Sequence, residues 1–98
     1  MTYSVRFRPE IPDDIAEACR WYEARSTGLG ERFLRELKLT LSRITDMPEA
    51  YTKGDRDVRS ARMHRFPYVV HFRITGNEVV VVAVMYGGRD SSIWQNRA

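Results

Sequence analysis

The chain has 98 residues, 43% of them hydrophobic and 30% charged, with a formal net charge of +3 and a pI near 9.4. Two Trp, five Tyr and four Phe exclude a disordered chain, and this length suits a single domain, 1–98, with one core. No run of about 18 apolar residues and no basic-then-apolar leader marks a membrane span or a signal peptide, and a lone cysteine, Cys19, cannot form an internal disulfide, so a cytoplasmic protein is expected.

Thr2 to Arg8 alternates, with Tyr3, Val5 and Phe7 on one face and Ser4, Arg6 and Arg8 on the other, which predicts a first strand stopped by Pro9. Pro12-Asp13-Asp14 then opens a helix, because proline is tolerated where no backbone donor is needed and carboxylates favour the positive end of the helix dipole. Ile15, Ala18, Cys19 and Tyr22 follow at helical spacing to about Arg25. Ser26-Thr27-Gly28-Leu29-Gly30 breaks the helix and a second runs from about Glu31 to Asp46. Its buried stripe is Phe33 or Leu34, Leu37, Leu41 and Ile44, and Pro48 ends it. So short a connection implies an antiparallel helical hairpin.

Val58 to Arg65 reads as a second strand, with Ala61 and Met63 inward and Ser60, Arg62 and His64 outward. The strongest local signal follows. Phe66 to Ile74 and Glu78 to Tyr86 are two β-rich runs joined by Thr75-Gly76-Asn77, a β-hairpin. In the first run Tyr68, Val70, Phe72 and Ile74 share one face. The second is apolar on both faces from Val79 to Met85, as expected of a strand interior to its sheet. Gly87-Gly88 ends that strand, and Arg89 to Arg97 is a short C-terminal tail. The expected class is therefore α+β: an N-terminal strand, an antiparallel helical hairpin, then a three-stranded antiparallel sheet, in an order that periodicity does not determine.

The strands carry Arg6, Arg8, Arg59, Arg62, Arg65 and Arg73 against one acid, Glu78, so the sheet face away from the helices is expected to present arginines together with His64 and His71, joined by Arg89. A planar fork of donors suits phosphate or carboxylate, although an exposed strand arginine is usually only solvated. The two histidines, without cysteine or carboxylate neighbours at ligand spacing, do not make a metal site, and no cofactor is expected. Gly28-Leu29-Gly30 lacks the lysine and the preceding strand of a phosphate loop and reads as a turn. Cys19 reads as core and Trp21-Tyr22 chiefly as packing, although an exposed Trp21 would mark a partner's groove.

Asp14-Ile15 opening a helix, Trp21-Tyr22-Glu23 near its end, Gly28-Leu29-Gly30-Glu31-Arg32-Phe33 opening the next, Pro48 and Tyr51, Val58-Arg59, Phe66-Pro67-Tyr68, and Arg89-Asp90 with Trp94 and Arg97 together resemble the ParE branch of the RelE/ParE toxin superfamily, known also from plasmid stabilisation systems. The resemblance spans almost the whole chain and implies the toxin of a bacterial type II toxin–antitoxin pair, neutralised by a cognate antitoxin whose flexible segment wraps it. A homodimer and a toxin–antitoxin hetero-oligomer are both compatible with it. ParE-type members poison DNA gyrase, whereas RelE-type members cleave mRNA on the ribosome.

Gyrase inhibition needs no catalytic residue here, and the expected target contacts are Arg59, Arg62, Arg73, Arg89, Trp94 and Arg97, arginines beside an exposed tryptophan being a typical hot-spot composition. Ribonuclease action would fall to Arg62, His64, Arg73 and Arg89. RelE-type enzymes carry an arginine at the end of the last strand, matched by Arg89, and a tyrosine six residues later, where this chain has Gln95, which performs no proton transfer. Many ParE-like sequences also have a histidine where Tyr86 stands. A third expectation is a non-toxic family member that only binds a partner. The antitoxin is expected on Trp21, Tyr22, Phe33 and Leu37, in a groove beside the helical hairpin or along an unpaired sheet edge.

Overall fold

The structure is a computed structural model that describes residues 2–88 and Gln95. Strand β1 (Ser4–Phe7) leads into helix α1 (Ile11–Arg25), which turns back as helix α2 (Leu29–Asp46). Two short 3₁₀ turns (Pro48–Ala50 and Asp55–Asp57) precede β2 (Arg59–Arg62), β3 (Tyr68–Thr75) and β4 (Glu78–Tyr86). The four strands form one sheet in the order β1-β4-β3-β2.

The expectation of a three-stranded antiparallel sheet is corrected here. The sheet has four strands and is mixed, because β1 runs parallel to β4, with Val5 opposite Val79 and Phe7 opposite Val81. Alternation reveals that a segment is a strand but carries no sign of its direction, so β1 could be recognised without its pairing. β2–β3 and β3–β4 are antiparallel. The two-faced apolarity of β4 follows from its position between β1 and β3. β2 is also shorter than the expected Val58 to Arg65. After Arg62 the chain leaves the ladder through a bend in which Arg65 is left-handed (φ 69°).

One irregularity governs the hairpin. Phe72 pairs with Val81 but His71 pairs with Ala83, so Val82 is an extra residue on β4, a β-bulge. It shifts the phase of the strand. Val79 and Val81 face the helices before it, Val84 after it, and all three belong to the core.

Both helices cover that face. α1 has Pro12 in its first turn with Asp13 and Asp14, and Ile11, Ala18 and Tyr22 are buried. α2 starts after Gly28, whose left-handed φ of 88° suits glycine. The Glu23 side chain reaches across from α1 and accepts hydrogen bonds from the backbone N–H groups of Gly28 (2.9 Å) and Gly30 (3.0 Å), capping a helix start that has no cap of its own. A Cβ at Gly30 would lie 2.9 Å from the Cys19 carbonyl oxygen, so the two helices approach as closely as glycine allows. Of the two candidates for the stripe of α2, Phe33 is fully buried and Leu34 is exposed. Phe33 meets Phe66 and Tyr68 edge-on, with centroids 5.3 and 5.1 Å apart, and stacks on Tyr22, forming an aromatic centre where both helices reach the hairpin.

Candidate functional site

Two surfaces carry the residues that the sequence singles out. The first is the sheet face turned from the helices. Alternation and register place Arg6, Arg62, His71 and Arg73 there, above an apolar floor of Val80, Ala83 and Met85. The band of arginines is narrower than expected. Arg59 lies opposite Phe72 and so points to the helix side, where its Nη1 donates to the carbonyl oxygens of Glu49 (3.3 Å) and Tyr51 and ties the 3₁₀ turn to the sheet. Arg6 pairs with Glu78 and Arg8 with Glu10, each at 3.3 Å. Arg73 and Arg59 line a cleft of about 360 Å³ that also holds Glu49 and Asp57. Arg62 stands apart. It lines a cleft of about 470 Å³ with Tyr68, Tyr86 and Gly88, and among the described residues no carboxylate pairs with it. Arg62 and Arg73 flank His71, and with Arg62 beside Val69 they stand four residues of β3 apart, about 13 Å.

His71 sits between them with Nδ1 2.8 Å from the Ser60 hydroxyl, its cross-strand partner. Burial lowers its pKa from 6.5 to about 4, so the ring is neutral at pH 7. A neutral ring of such low basicity is a poor general base and cannot serve as a general acid. His64 is exposed in the bend after β2.

The second surface is an apolar trough of about 910 Å³ between α1 and the open end of the β3–β4 hairpin, where β3 begins and β4 ends, lined by Glu17, Arg20, Trp21, Tyr22, Pro67, Tyr68 and Tyr86. Trp21 is 49% exposed and Tyr86 50%. Trp21 lies edge-on to Tyr22 (5.0 Å) while the Arg25 guanidinium stacks 3.5 Å from its ring centroid. The Tyr68 and Tyr86 rings meet edge-on at 6.2 Å.

Residues 5–91 match the family described as ParE toxin of type II toxin-antitoxin system, parDE. The chain belongs to the ParE toxin family. A solved structure of the chromosomal ParDE toxin–antitoxin system from P. aeruginosa has the same fold, with a TM-score of 0.74 at 13% identity over 87% of this chain and 96% of that one. A double arginine-to-alanine mutant of the E. coli toxin RelE in the free state aligns with a TM-score of 0.59 at 18% identity over 97% of this chain and 93% of that one. No curated protein matches the chain in sequence.

The residues expected to meet the antitoxin do not lie together on the surface. Trp21 is exposed, but Tyr22, Phe33 and Leu37 are 8%, 0% and 3% exposed and belong to the core, because the stripe of an amphipathic helix faces the sheet and not the solvent. Arg89, Trp94 and Arg97 lie outside the described residues; Gln95 is described, and its carbonyl accepts from Arg56 Nη1 at 2.6 Å. Tyr68, Tyr86, Arg20 and Glu17 complete the trough around Trp21 and were not singled out as a group. Tyr68 and Tyr86 open and close the hairpin strands, which was the available signal. An unbulged hairpin continued from Thr75 opposite Glu78 would have set Tyr68 against Met85, whereas the bulge brings it opposite Tyr86. Among the described residues no group of His, Cys, Asp or Glu could hold a metal ion, and no helix is long and apolar enough to cross a membrane.

Proposed function

We propose that this ParE-family chain is a toxin that acts by binding DNA gyrase and is neutralised by a cognate antitoxin. Family membership over residues 5–91 supports the toxin–antitoxin setting. The observation that carries the choice of target is the chemistry of the outer sheet face. Cleaving RNA through its 2′-hydroxyl requires a base, an acid and cations on one phosphate. This face offers cations, yet His71, the histidine that lies among them, is held neutral against Ser60 with its pKa near 4. Binding and trapping an enzyme that performs its own chemistry needs only a complementary surface. Arg62, uncommitted to any described carboxylate, is the contact we place at its centre, with Arg73 about 13 Å away on the same face and, from the sequence alone, Arg89, Trp94 and Arg97 as further contacts.

The RelE-like reading, ribosome-dependent mRNA cleavage, rests on the phosphate-binding half of such a site, Arg62 and Arg73 with Arg89. Induced expression in a bacterium with and without the neighbouring antitoxin gene, followed by gyrase supercoiling and ribosome-dependent mRNA cleavage with purified protein, separates the two. Growth arrest, blocked supercoiling and intact mRNA are expected. Cleaved mRNA that survives in the parent but is lost in Arg62→Ala would replace gyrase with the ribosome as target.

A further inference from the structure

Away from the outer sheet face, three arginines line one cleft. Arg32 and Arg35 stand about one turn apart on the same side of α2, and Arg65 joins them from the bend between β2 and β3, around a cleft of about 440 Å³ whose apolar wall includes Leu29 and Phe66. All three are exposed, and among the described residues no carboxylate pairs with any of them. Glu36 lines the same cleft without closing an ion pair, and Glu23 of α1 is committed to the Gly28 and Gly30 amides. A single solvated arginine needs no explanation, but three guanidinium groups on one apolar-walled cleft repel one another. The mount of Arg65 is a second observation. Its backbone is left-handed, φ 69°, a conformation that glycine adopts freely and arginine rarely. The bend is closed by the Met63 N–H donating to the Tyr68 carbonyl oxygen at 2.9 Å, and Phe66, next in the chain, is packed edge-on against Tyr22 and Phe33 with centroids 4.8 and 5.3 Å apart. Glycine would serve that turn better, yet the position holds an arginine on the cleft lining.

We propose that Arg32, Arg35 and Arg65 form a binding site for a phosphate chain, such as that of a nucleoside triphosphate or of inorganic polyphosphate. The planar fork of each arginine matches two oxygens of a phosphate, so three forks call for more oxygens and more charge than one carboxylate holds. Compactness selects among phosphate ligands. A nucleic-acid backbone spreads its charges along a strand and suits cations set in a row. Here Arg32 and Arg35 are about 5–6 Å apart at Cβ and Arg65 shares their cleft, which suits charges on adjacent phosphate groups. Glu36 limits the affinity, because its carboxylate repels the same ligand. None of the three arginines belongs to the expected target contacts, and the site is independent of the gyrase reading.

The test is isothermal titration calorimetry of the full chain with inorganic triphosphate, ATP and AMP, without divalent cations and at about 150 mM salt, where attraction to net charge alone is largely screened. Triphosphate is expected to bind. ATP that matches or exceeds it assigns the chain of phosphates to a nucleotide, whereas triphosphate without ATP assigns it to inorganic polyphosphate, and either supports the site. Arg65→Gly, whose backbone suits φ 69°, is expected to fold as well as the parent and to bind about tenfold more weakly. Glu36→Gln is expected to bind about threefold more tightly. Arg6→Gln, which removes the same charge from the sheet, should change affinity by less than about twofold. No binding by the parent, AMP binding as tightly as ATP, or an equal loss in Arg6→Gln and Arg65→Gly overturns the proposal. So does a short DNA duplex that binds in dependence on Arg65 and is not displaced by triphosphate, which would assign the cluster to a nucleic-acid backbone.

Discussion

The cationic face of the sheet and the aromatic trough beside α1 differ in how far their side chains are already engaged. On the sheet, three of the six strand arginines counted in the sequence serve the fold: Arg59 holds carbonyls of the 3₁₀ turn, and Arg6 and Arg8 pair with acids. In the trough, Trp21 and Tyr86 are half exposed, each with an aromatic neighbour. Exposure of a large aromatic side chain is therefore the sharper sign of a partner here, because a solvated arginine costs little while an exposed indole forgoes burial worth about 2 kcal/mol or more.

The comparison breaks most visibly if the buried and exposed aromatics exchange roles. Phe33→Ala empties the centre of the core and is expected to cost about 3–5 kcal/mol of stability in denaturant titration, whereas Trp21→Ala should stay within about 1 kcal/mol of the parent while losing antitoxin affinity. Gly30→Ala tests how rigidly α1 presents Trp21. The added methyl meets the Cys19 carbonyl at 2.9 Å, a backbone atom that cannot move without shifting the helix, so a loss of about 1–2 kcal/mol is expected even after the gain in helix propensity.

His71 sharpens the contrast from the sheet side. Its pKa is about 4 in the folded chain against 6.5 unfolded, so the unfolded state takes up the proton first. Its contribution is present above pH 6.5 and is lost as pH falls toward 4, a change of about 1–2 kcal/mol once partial solvent exposure is discounted. His71→Gln should flatten that part of the stability profile in parallel melts across this range. The smallest effect is expected of Arg6→Ala, which removes an exposed ion pair with Glu78 and should shift stability by less than about 1 kcal/mol, an effect that disappears in high salt.

Periodicity made the two layers legible. The stripes of α1 and α2, the dry face of β3 and the interior position of β4 all follow from which residues recur at 3.6 or 2, since burial is what those periods report. Two features escaped it. The parallel pairing of β1 with β4 depends on where the chain returns after the helical hairpin, which no local pattern encodes. The trough depends on the bulge at Val82, which sets Tyr86 opposite Tyr68, and on the position of Trp21 on α1 across from it. Phe33 and Leu37 show the converse: the apolar stripe of α2, also expected to meet the partner, is buried in the core.

Two separable surfaces are expected, one for the target and one for the antitoxin. The most direct test is supercoiling by purified gyrase in the presence of the Trp21→Ala chain, with and without antitoxin. Inhibition that persists when antitoxin is added, at a concentration that fully relieves the parent chain, is expected; a Trp21→Ala chain that no longer inhibits, or one rescued by antitoxin as readily as the parent, would contradict it.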